Sequence, residues 1–185
     1  DRLRGAFAPH AASLANSSGI FLGSGYHYDL VRPGVALYGV NPTPGAVNPM
    51  REVVRLKGRI IQVREIDTPQ SVGYGATHRA TGRRRIATVP VGYADGYLRS
   101  LSGQGVGCLA GVSVPIVGRV SMDLITLDVT DAPLDAAQTG MEVDLIGGGG
   151  DTVDDVAARA GTIGYEILTS LGRRPAVIWE MITEP

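Results

Sequence analysis

The 185-residue chain is long enough for one substantial hydrophobic core, or for one domain and part of a second. Its net charge of −1, with Lys and Arg scattered, argues against a protein that binds nucleic acid or a membrane surface, because neither partner would find a patch of one sign. The single cysteine, Cys108, excludes an intrachain disulfide and predicts a buried residue in a reducing, cytoplasmic compartment.

No apolar run is long enough to cross a membrane, and the first residues, Asp1 to Arg4, do not resemble a signal peptide. The sequence starts without methionine, so we expect it to begin inside a longer protein. Glycine accounts for 26 of the 185 residues, about twice the usual share. That composition indicates many tight turns between short elements.

The N-terminal region contains two places that could meet an anion. Ser17 and its polar neighbours can cap a helix or offer hydroxyl and amide groups to a ligand. Further on, a short apolar strand runs into Arg32, a proline and Gly34, and glycine lets the backbone approach a ligand closely. The amides of Gly34 and Val35 could therefore point at a phosphate. An arginine before an ordinary turn explains this stretch equally well.

Prolines and glycines cluster between residues 40 and 52, and such clusters are typical of boundaries. They divide the chain into residues 1–50 and residues 51–185. The composition changes at this point, because signals for β-strands dominate the second part.

Short stretches of the second part alternate between apolar and other residues, namely residues 106–110, 125–129 and 141–145. Residues 56–63 form a further predicted strand, in which Gly58 marks a bulge or a close approach. Turn residues separate these stretches about every ten residues. The chain is therefore predicted to be mainly β, with an antiparallel β-domain or barrel and two short helices.

The first of these helices follows the glycine run at 147–150. Thr152 and Asp155 have the spacing of a capping box, and Gly161 is placed to end the helix. The run itself is not a phosphate-binding loop, because no Lys-Ser or Lys-Thr follows it and the acidic start of the helix would repel an anion.

The second helix is predicted to start near Thr162 and to stop at Gly172. Ile163 belongs to its apolar face, whereas Tyr165 lies off that face and could present its hydroxyl to a cleft. An exposed tyrosine on a helix surface is the equally plausible reading. A last strand is predicted over residues 176–182.

Two tyrosines lie in glycine-rich segments that present them to a ligand. Tyr74 stands between Gly73 and Gly75, and Tyr93 follows nineteen residues later in a similar segment. Taken alone, Gly-Tyr-Gly is more typical of an ordinary loop. A turn carboxylate that caps a backbone amide would explain Asp123 without any function. The histidines lack the spacing of metal ligands, so no metal site is predicted: His10, His27 and His78.

Taken in order, six segments resemble the C-terminal half of bacterial alanine racemases. The resemblance extends from about Ser13 to Tyr165 and is far more specific than any one segment. The segments are Leu14-Ala15-Asn16-Ser17, Tyr28 to Gly39, Val72-Gly73-Tyr74-Gly75, Val91 to Gly96, Gly118 to Asp123, and Gly161 to Glu166.

This resemblance implies a homodimeric enzyme that uses pyridoxal 5'-phosphate to interconvert L- and D-alanine, the latter for peptidoglycan. Residues 1–50 would be the last part of a truncated TIM-type α/β barrel that holds the cofactor, and residues 51–185 the β-domain that completes a site shared between subunits. The Schiff-base lysine has no counterpart, since the only lysine is Lys57. We therefore expect the chain alone to be inactive.

The resemblance also implies roles for individual residues. Tyr74 would be one of two opposed catalytic bases, and Arg32 would face the pyridine nitrogen of the cofactor. The Met122 amide would contact the substrate carboxylate. The cofactor phosphate would be bound by Ser17, Gly34, Val35 and Tyr165. The access channel would be lined by Tyr93, Arg99 and Arg119.

Three interpretations remain open on the sequence. The first is alanine racemase. The second is another enzyme of the same cofactor class, either a racemase for serine or a broader range of amino acids or a barrel-type decarboxylase, although Gly73-Tyr74-Gly75 counts against a decarboxylase. The third is a non-catalytic β-domain that serves for dimerisation or binding.

Overall fold

Residues 2–7 and 9–180 are described by a computed structural model, in which the chain divides into two units. The first unit is Asp1–Val54 and the second is Arg55–Pro185. Within the described residues, no helix combines the length and the apolar character that a membrane span requires.

The first unit is built around a short parallel pair of strands. Its regular elements are β1 (Ser13–Asn16), α1 (Ser17–Ile20) and β2 (Leu30–Arg32). The helix α1 starts directly after β1, because the Asn16 side chain caps it by accepting a hydrogen bond from the Gly19 amide at 3.0 Å. The described residues of this unit also form the 3-10 turns Arg4–Ala6, Ser24–Tyr26 and Val35–Tyr38.

The second unit consists of antiparallel sheets, and the mainly β prediction is confirmed. Its strands are β3 (Leu56–Arg59), β4 (Gln62–Ile66), β5 (Ser71–Val72), β6 (His78–Arg79), β7 (Arg84–Val89), β8 (Val106–Leu109), β9 (Val112–Pro115), β10 (Ile125–Asp128) and β11 (Glu142–Ile146). The strand orders are β3-β11-β8-β9 and β10-β7-β4, and β5 pairs with β6. The helices α2 (Val153–Ala160) and α3 (Gly164–Ser170) follow β11.

The prediction of one strand over residues 56–63 is wrong, because the chain changes sheets within it. The Ile60 amide donates to Met141 O at 2.8 Å, and the next amide, that of Ile61, donates to Thr88 O at 2.9 Å. β3 therefore belongs to the four-stranded sheet and β4 to the three-stranded one. The close approach at Gly58 is confirmed, since a β-carbon there would collide with Val89.

Alternation is confirmed in β10, where Ile125 and Leu127 are buried. It fails in β8, where Cys108 and Leu109 are both buried although they point to opposite faces. The loop before α2 covers the face of β8 that carries Cys108, because a β-carbon at Gly150 would lie 2.9 Å from the Cys108 Cβ. The burial predicted for Cys108 is confirmed.

The predicted capping box at the start of α2 is confirmed. Thr152 Oγ1 accepts from the Asp155 amide at 3.2 Å, and the Asp155 carboxylate accepts from the Thr152 amide at 2.9 Å. Gly161 ends the helix in the left-handed conformation, with φ of 73°.

The bounds predicted for the second helix are wrong by one or two residues. α3 starts at Gly164, so Ile163 precedes the helix and is exposed instead of contributing to the apolar face. The C-cap is Leu171 and not Gly172. Tyr165 lies off the buried face, as predicted, and is 47% exposed.

The predicted last strand is wrong over residues 176–180, which have no regular structure. No strand in the described part of the chain pairs with this segment, so its backbone lacks the partner that a strand requires. Met181 and Ile182, the end of that prediction, lie outside the described residues.

Candidate active site

The Ser17 hydroxyl is the centre of a small group of hydrogen-bond donors in the first unit. Ser17 begins α1 and is only 2% exposed. Its Oγ accepts from the Gly34 amide at 2.8 Å and from the Ala36 amide at 3.3 Å. Both lone pairs are then occupied, and no acceptor for the hydroxyl hydrogen lies among the described residues. The hydroxyl can therefore donate to an anionic oxygen.

The backbone beside Ser17 is open on its outer side. A β-carbon added at Gly34 would meet only Ser17 Oγ within 4 Å, at 4.0 Å. The Gly34 amide donates to Ser17, whereas Val35 is the first residue of its 3-10 turn, so its amide has no partner within that turn. A hydroxyl hydrogen and a backbone amide next to open space fit the phosphate group of a cofactor.

Arg32 ends β2 and is oriented by the neighbouring strand. Its guanidinium donates to the Ser13 hydroxyl through Nη1 and to Leu14 O, at 3.4 Å, through Nη2. Both partners lie on β1, which pairs with β2 in parallel. The side chain is exposed, and further N–H groups of its guanidinium remain for a ligand.

Tyr74 opens a 3-10 turn, Tyr74–Ala76, between β5 and β6. Its side chain lies outside the described part of the chain. The preceding Gly73 has φ of 79°, which favours glycine, and a β-carbon there would lie 3.1 Å from the Arg119 amide nitrogen. The backbones of the Tyr74 turn and the Arg119 turn are therefore in contact.

Tyr93 begins the 3-10 turn Tyr93–Asp95, and Met122 lies in a turn over residues 121–124 that the Ser121 amide closes by donating to Leu124 O. These two turns are hydrogen-bonded to each other. The Tyr93 amide donates to Ser121 O and the Ala94 amide to Met122 O, each at 3.0 Å. A β-carbon at Gly92 would collide with the Met122 carbonyl, so this close packing requires glycine. Met122 is 53% exposed, and no partner for its amide lies within the described residues.

Arg99 and Arg119 are exposed, and a hydroxyl connects their segments. Ser102 Oγ donates to Arg99 O at 2.6 Å and accepts from the Val120 amide at 3.0 Å. Two cations thus lie on loops that are tied to the Met122 turn. The helix α3, which carries Tyr165 near its start, packs with its other end beside Gly96, since a β-carbon at Gly96 would collide with the Ser170 carbonyl.

The sequence prediction missed an ion cluster behind these turns. Asp95 is 7% exposed, and its carboxylate accepts from the Gly92 amide at 2.9 Å. Arg174 lies 3.5 Å from Asp95 and donates to Asp123 at 2.8 Å. Among the described residues the Asp123 carboxylate pairs with Arg174 and accepts from no backbone amide, so the explanation of Asp123 as a turn cap is wrong. Of these contacts, only the hydrogen bond between Asp95 and the Gly92 amide has a local sequence signal, because an acidic residue three positions after a turn start often accepts from that amide.

One of the three histidines is hydrogen-bonded to the main chain. His27 Nε2 donates to Ile20 O at 2.8 Å. Across residues 2–7 and 9–180, no group of three or more His, Cys, Asp and Glu side chains is placed to hold a metal ion.

Comparison with protein families assigns these turns to a known domain. The family model "Alanine racemase, C-terminal domain" matches residues 53–179. The chain belongs to the alanine racemase family. The model "Alanine racemase, N-terminal domain" matches residues 1–42. The resemblance read from the six sequence segments is thereby confirmed.

Curated alanine racemases are similar over most of this chain. The alanine racemase of Rhodospirillum rubrum is 61% identical over 163 residues, which cover 88% of this chain and 43% of that protein. The alanine racemase of a Methylobacterium species is 55% identical over 173 residues, covering 94% of this chain and 47% of the relative. The chain thus spans less than half the length of these relatives.

Solved alanine racemases have the same fold over the matched region. One is a crystal structure of the alanine racemase from Bartonella henselae, described as having covalently bound pyridoxal phosphate. It has a TM-score of 0.84 at 42% identity, and the match covers 94% of this chain and 48% of the Bartonella chain. The alanine racemase of Acinetobacter baumannii has a TM-score of 0.82 at 38% identity, with 94% and 49% covered.

Proposed function

We propose that this chain provides the C-terminal part of a cytoplasmic, pyridoxal-phosphate-dependent racemase that interconverts L- and D-alanine and supplies D-alanine for peptidoglycan. The observation that carries the proposal is the family match over residues 53–179. That range contains the turns of Tyr74, Tyr93 and Met122, which are in contact directly or through the Arg119 turn.

We assign residues 1–50 to the end of a cofactor-binding α/β barrel and residues 51–185 to the β-domain. The parallel pairing of β1 with β2 supports the first assignment, because parallel strands are typical of α/β folds. The division into units after Val54 supports a boundary close to the predicted one.

Racemisation removes the α-proton from one face of the amino acid and returns a proton to the other, so two opposed bases are required. Tyr74 is the proposed base on one face. A free phenol has a pKa of about 10, so a nearby cation must favour the phenolate. By the family resemblance, the second base is the Schiff-base lysine. This chain has no counterpart of it, because its only lysine, Lys57, lies on β3 with its Nζ 3.4 Å from Glu142.

When bound, pyridoxal phosphate supplies the electron sink that makes the α-proton removable. Ser17 would donate its hydroxyl hydrogen to the phosphate, together with the Val35 amide and the Tyr165 hydroxyl. Gly34 would contribute by orienting Ser17 through its amide. Arg32 would face the pyridine nitrogen, and because a guanidinium keeps its proton, that nitrogen would stay unprotonated and side reactions would be limited.

The substrate is proposed to bind to the β-domain through its carboxylate. Met122 is 53% exposed and its amide has no partner among the described residues, so the amide can donate to a carboxylate oxygen. Arg99 and Arg119 would attract the amino acid towards the site along a channel that Tyr93 also lines. In a homodimer, these turns would complete a site whose cofactor is held by the other subunit.

The test is a chimera in which this chain replaces the matching portion of the Rhodospirillum rubrum enzyme, which supplies the remaining barrel. We expect the purified chimera to form D-alanine from L-alanine, and L-alanine to be preferred over L-serine. The parent enzyme is the positive control. A folded chimera that binds the cofactor but does not racemise alanine would contradict the proposal, and a preference for serine would assign it to the broader racemases.

A further inference from the structure

Arg174 connects the two turns that carry Tyr93 and Met122. Its Nη1 donates to Asp123 Oδ1 at 2.8 Å, and its Nε lies 3.5 Å from Asp95 Oδ1. Asp123 follows Met122 directly, and Asp95 ends the Tyr93 turn. One guanidinium therefore joins both turns through their carboxylates.

The Asp95 end of this connection is anchored in the protein. Its side chain is only 10% exposed, its carboxylate accepts from the Gly92 amide at 2.9 Å, and its main-chain carbonyl accepts from the Gly172 amide at 3.4 Å. A buried carboxylate needs a compensating charge, which Arg174 provides.

The Asp123 end lies beside the proposed substrate contact. Its side chain is 54% exposed and adjacent to Met122, whose amide would receive the carboxylate of the amino acid. A substrate carboxylate bound next to Asp123 is repelled by it unless a cation compensates the charge of Asp123. The hydrogen bond to Asp123, followed by the charge of Asp95, raises the pKa of Arg174 further above that of free arginine, so the compensating charge persists at any working pH.

We propose that Arg174 is a positioning residue for substrate binding. It holds the Met122 turn against the Tyr93 turn and compensates the charge of Asp123, so that the Met122 amide can receive a substrate carboxylate. The inference rests on the proposed function. It assigns to Arg174, which is not one of the proposed substrate contacts, a role in the binding of substrates that carry a carboxylate.

Arg174→Gln in the active chimera should raise KM for alanine about tenfold while kcat changes little, because repulsion from Asp123 weakens binding and leaves the bases untouched. Arg173→Gln is the matched control. It removes the same charge from the adjacent exposed residue, which forms no hydrogen bond or ion pair among the described residues. Its KM should equal that of the unmodified chimera.

Two further variants separate charge from geometry. Asp123→Asn combined with Arg174→Gln removes both charges and should restore most of the lost affinity. Arg174→Lys keeps the charge without the planar fork that reaches two carboxylates, so its KM should be intermediate. Hydrogen exchange of the peptide over residues 92–96 should accelerate in Arg174→Gln but not in Arg173→Gln.

The outcomes distinguish this inference from the proposed function. If the unmodified chimera does not racemise alanine, the proposed function fails. If the chimera racemises alanine and Arg174→Gln has the same KM as Arg173→Gln, only the positioning role is overturned. A fall in cofactor content or thermal stability at unchanged KM, in Arg174→Gln or Arg174→Lys, would assign Arg174 a purely structural role and would also overturn it.

Discussion

The hydroxyl of Tyr97 faces Gly105 so closely that a β-carbon at the glycine would lie 2.7 Å from the oxygen. Tyr97 is 1% exposed, and within the described part of the chain its hydroxyl has no hydrogen-bond partner. Burial raises the pKa of Tyr97 well above that of free tyrosine; Asp151 adds to the increase and Arg159 opposes it. The protein therefore holds a neutral phenol in its interior, without a partner among the described residues.

Tyr97→Phe should increase the free energy of unfolding at neutral pH, by up to about 1–3 kcal/mol, because it removes a buried polar group without a partner. Urea unfolding of the unmodified chain and of the Tyr97→Phe variant measures the difference in unfolding free energy. Tyr93→Phe is the matched control, since it removes the same hydroxyl from a tyrosine that is 41% exposed. A less stable Tyr97→Phe variant would show that the hydroxyl is paired in solution.

The same residue predicts an alkaline dependence. The folded pKa of Tyr97 lies above the unfolded value of about 10, so the unfolded chain loses the proton first. Its contribution to stability is complete below pH ~10 and is lost as pH rises towards the folded pKa, at about 1.4 kcal/mol per pH unit. Unfolding free energies measured at several alkaline pH values should show a growing advantage for Tyr97→Phe. A constant difference would contradict the buried phenol.

Ser17→Ala should weaken pyridoxal phosphate binding to the apo chimera about tenfold or more, because it removes a charge-assisted hydrogen bond to the phosphate. An absorbance titration measures the affinity. Ser18→Ala is the matched control, since Ser18 is the half-buried neighbour and its side chain forms no hydrogen bond among the described residues. Equal affinities for the two variants would remove Ser17 from the phosphate site.

Tyr74→Phe in the chimera should slow racemisation in both directions by ~10²–10⁴-fold, because the tyrosine takes the α-proton in one direction and returns it in the other. Exchange of the α-deuteron of L- and D-alanine with solvent identifies the enantiomer whose α-proton the tyrosine takes, since only that exchange should be lost. Tyr93→Phe serves as the control because Tyr93 is assigned to the channel and not to proton transfer. Unchanged rates in both directions would make Tyr74 a bystander.

Local signals in the sequence predicted local structure, such as the capping box of Thr152 and Asp155 and the alternation of β10. The break between β3 and β4 could not be read in this way, because it depends on which distant carbonyls, Met141 and Thr88, accept the two successive amides. The segment 176–180 has strand-like composition, but composition does not supply a neighbouring strand.

In the candidate site, too, the sequence indicated only the residues that belong to a recognisable segment. Tyr74, Tyr93 and Met122 belong to segments whose order along the chain carries the family resemblance, so the sequence indicated them. Arg174 has no such signal, since its partner Asp123 is 51 residues away in the chain. The internal hydrogen bond between the Gly34 amide and Ser17 likewise depends on the pairing of β1 with β2.

The proposed site places Tyr74 on one subunit and the cofactor on the other, and subunit mixing tests this arrangement most directly. One chimera carries Tyr74→Phe, and a second lacks the cofactor-linking lysine in the Rhodospirillum rubrum portion. A mixed dimer would contain one complete site, formed by the lysine of one subunit and Tyr74 of the other. We predict that racemase activity returns on mixing, in proportion to the mixed dimer counted by native mass spectrometry. No recovery in mixtures that demonstrably exchange subunits would contradict the account and place the whole site within one subunit.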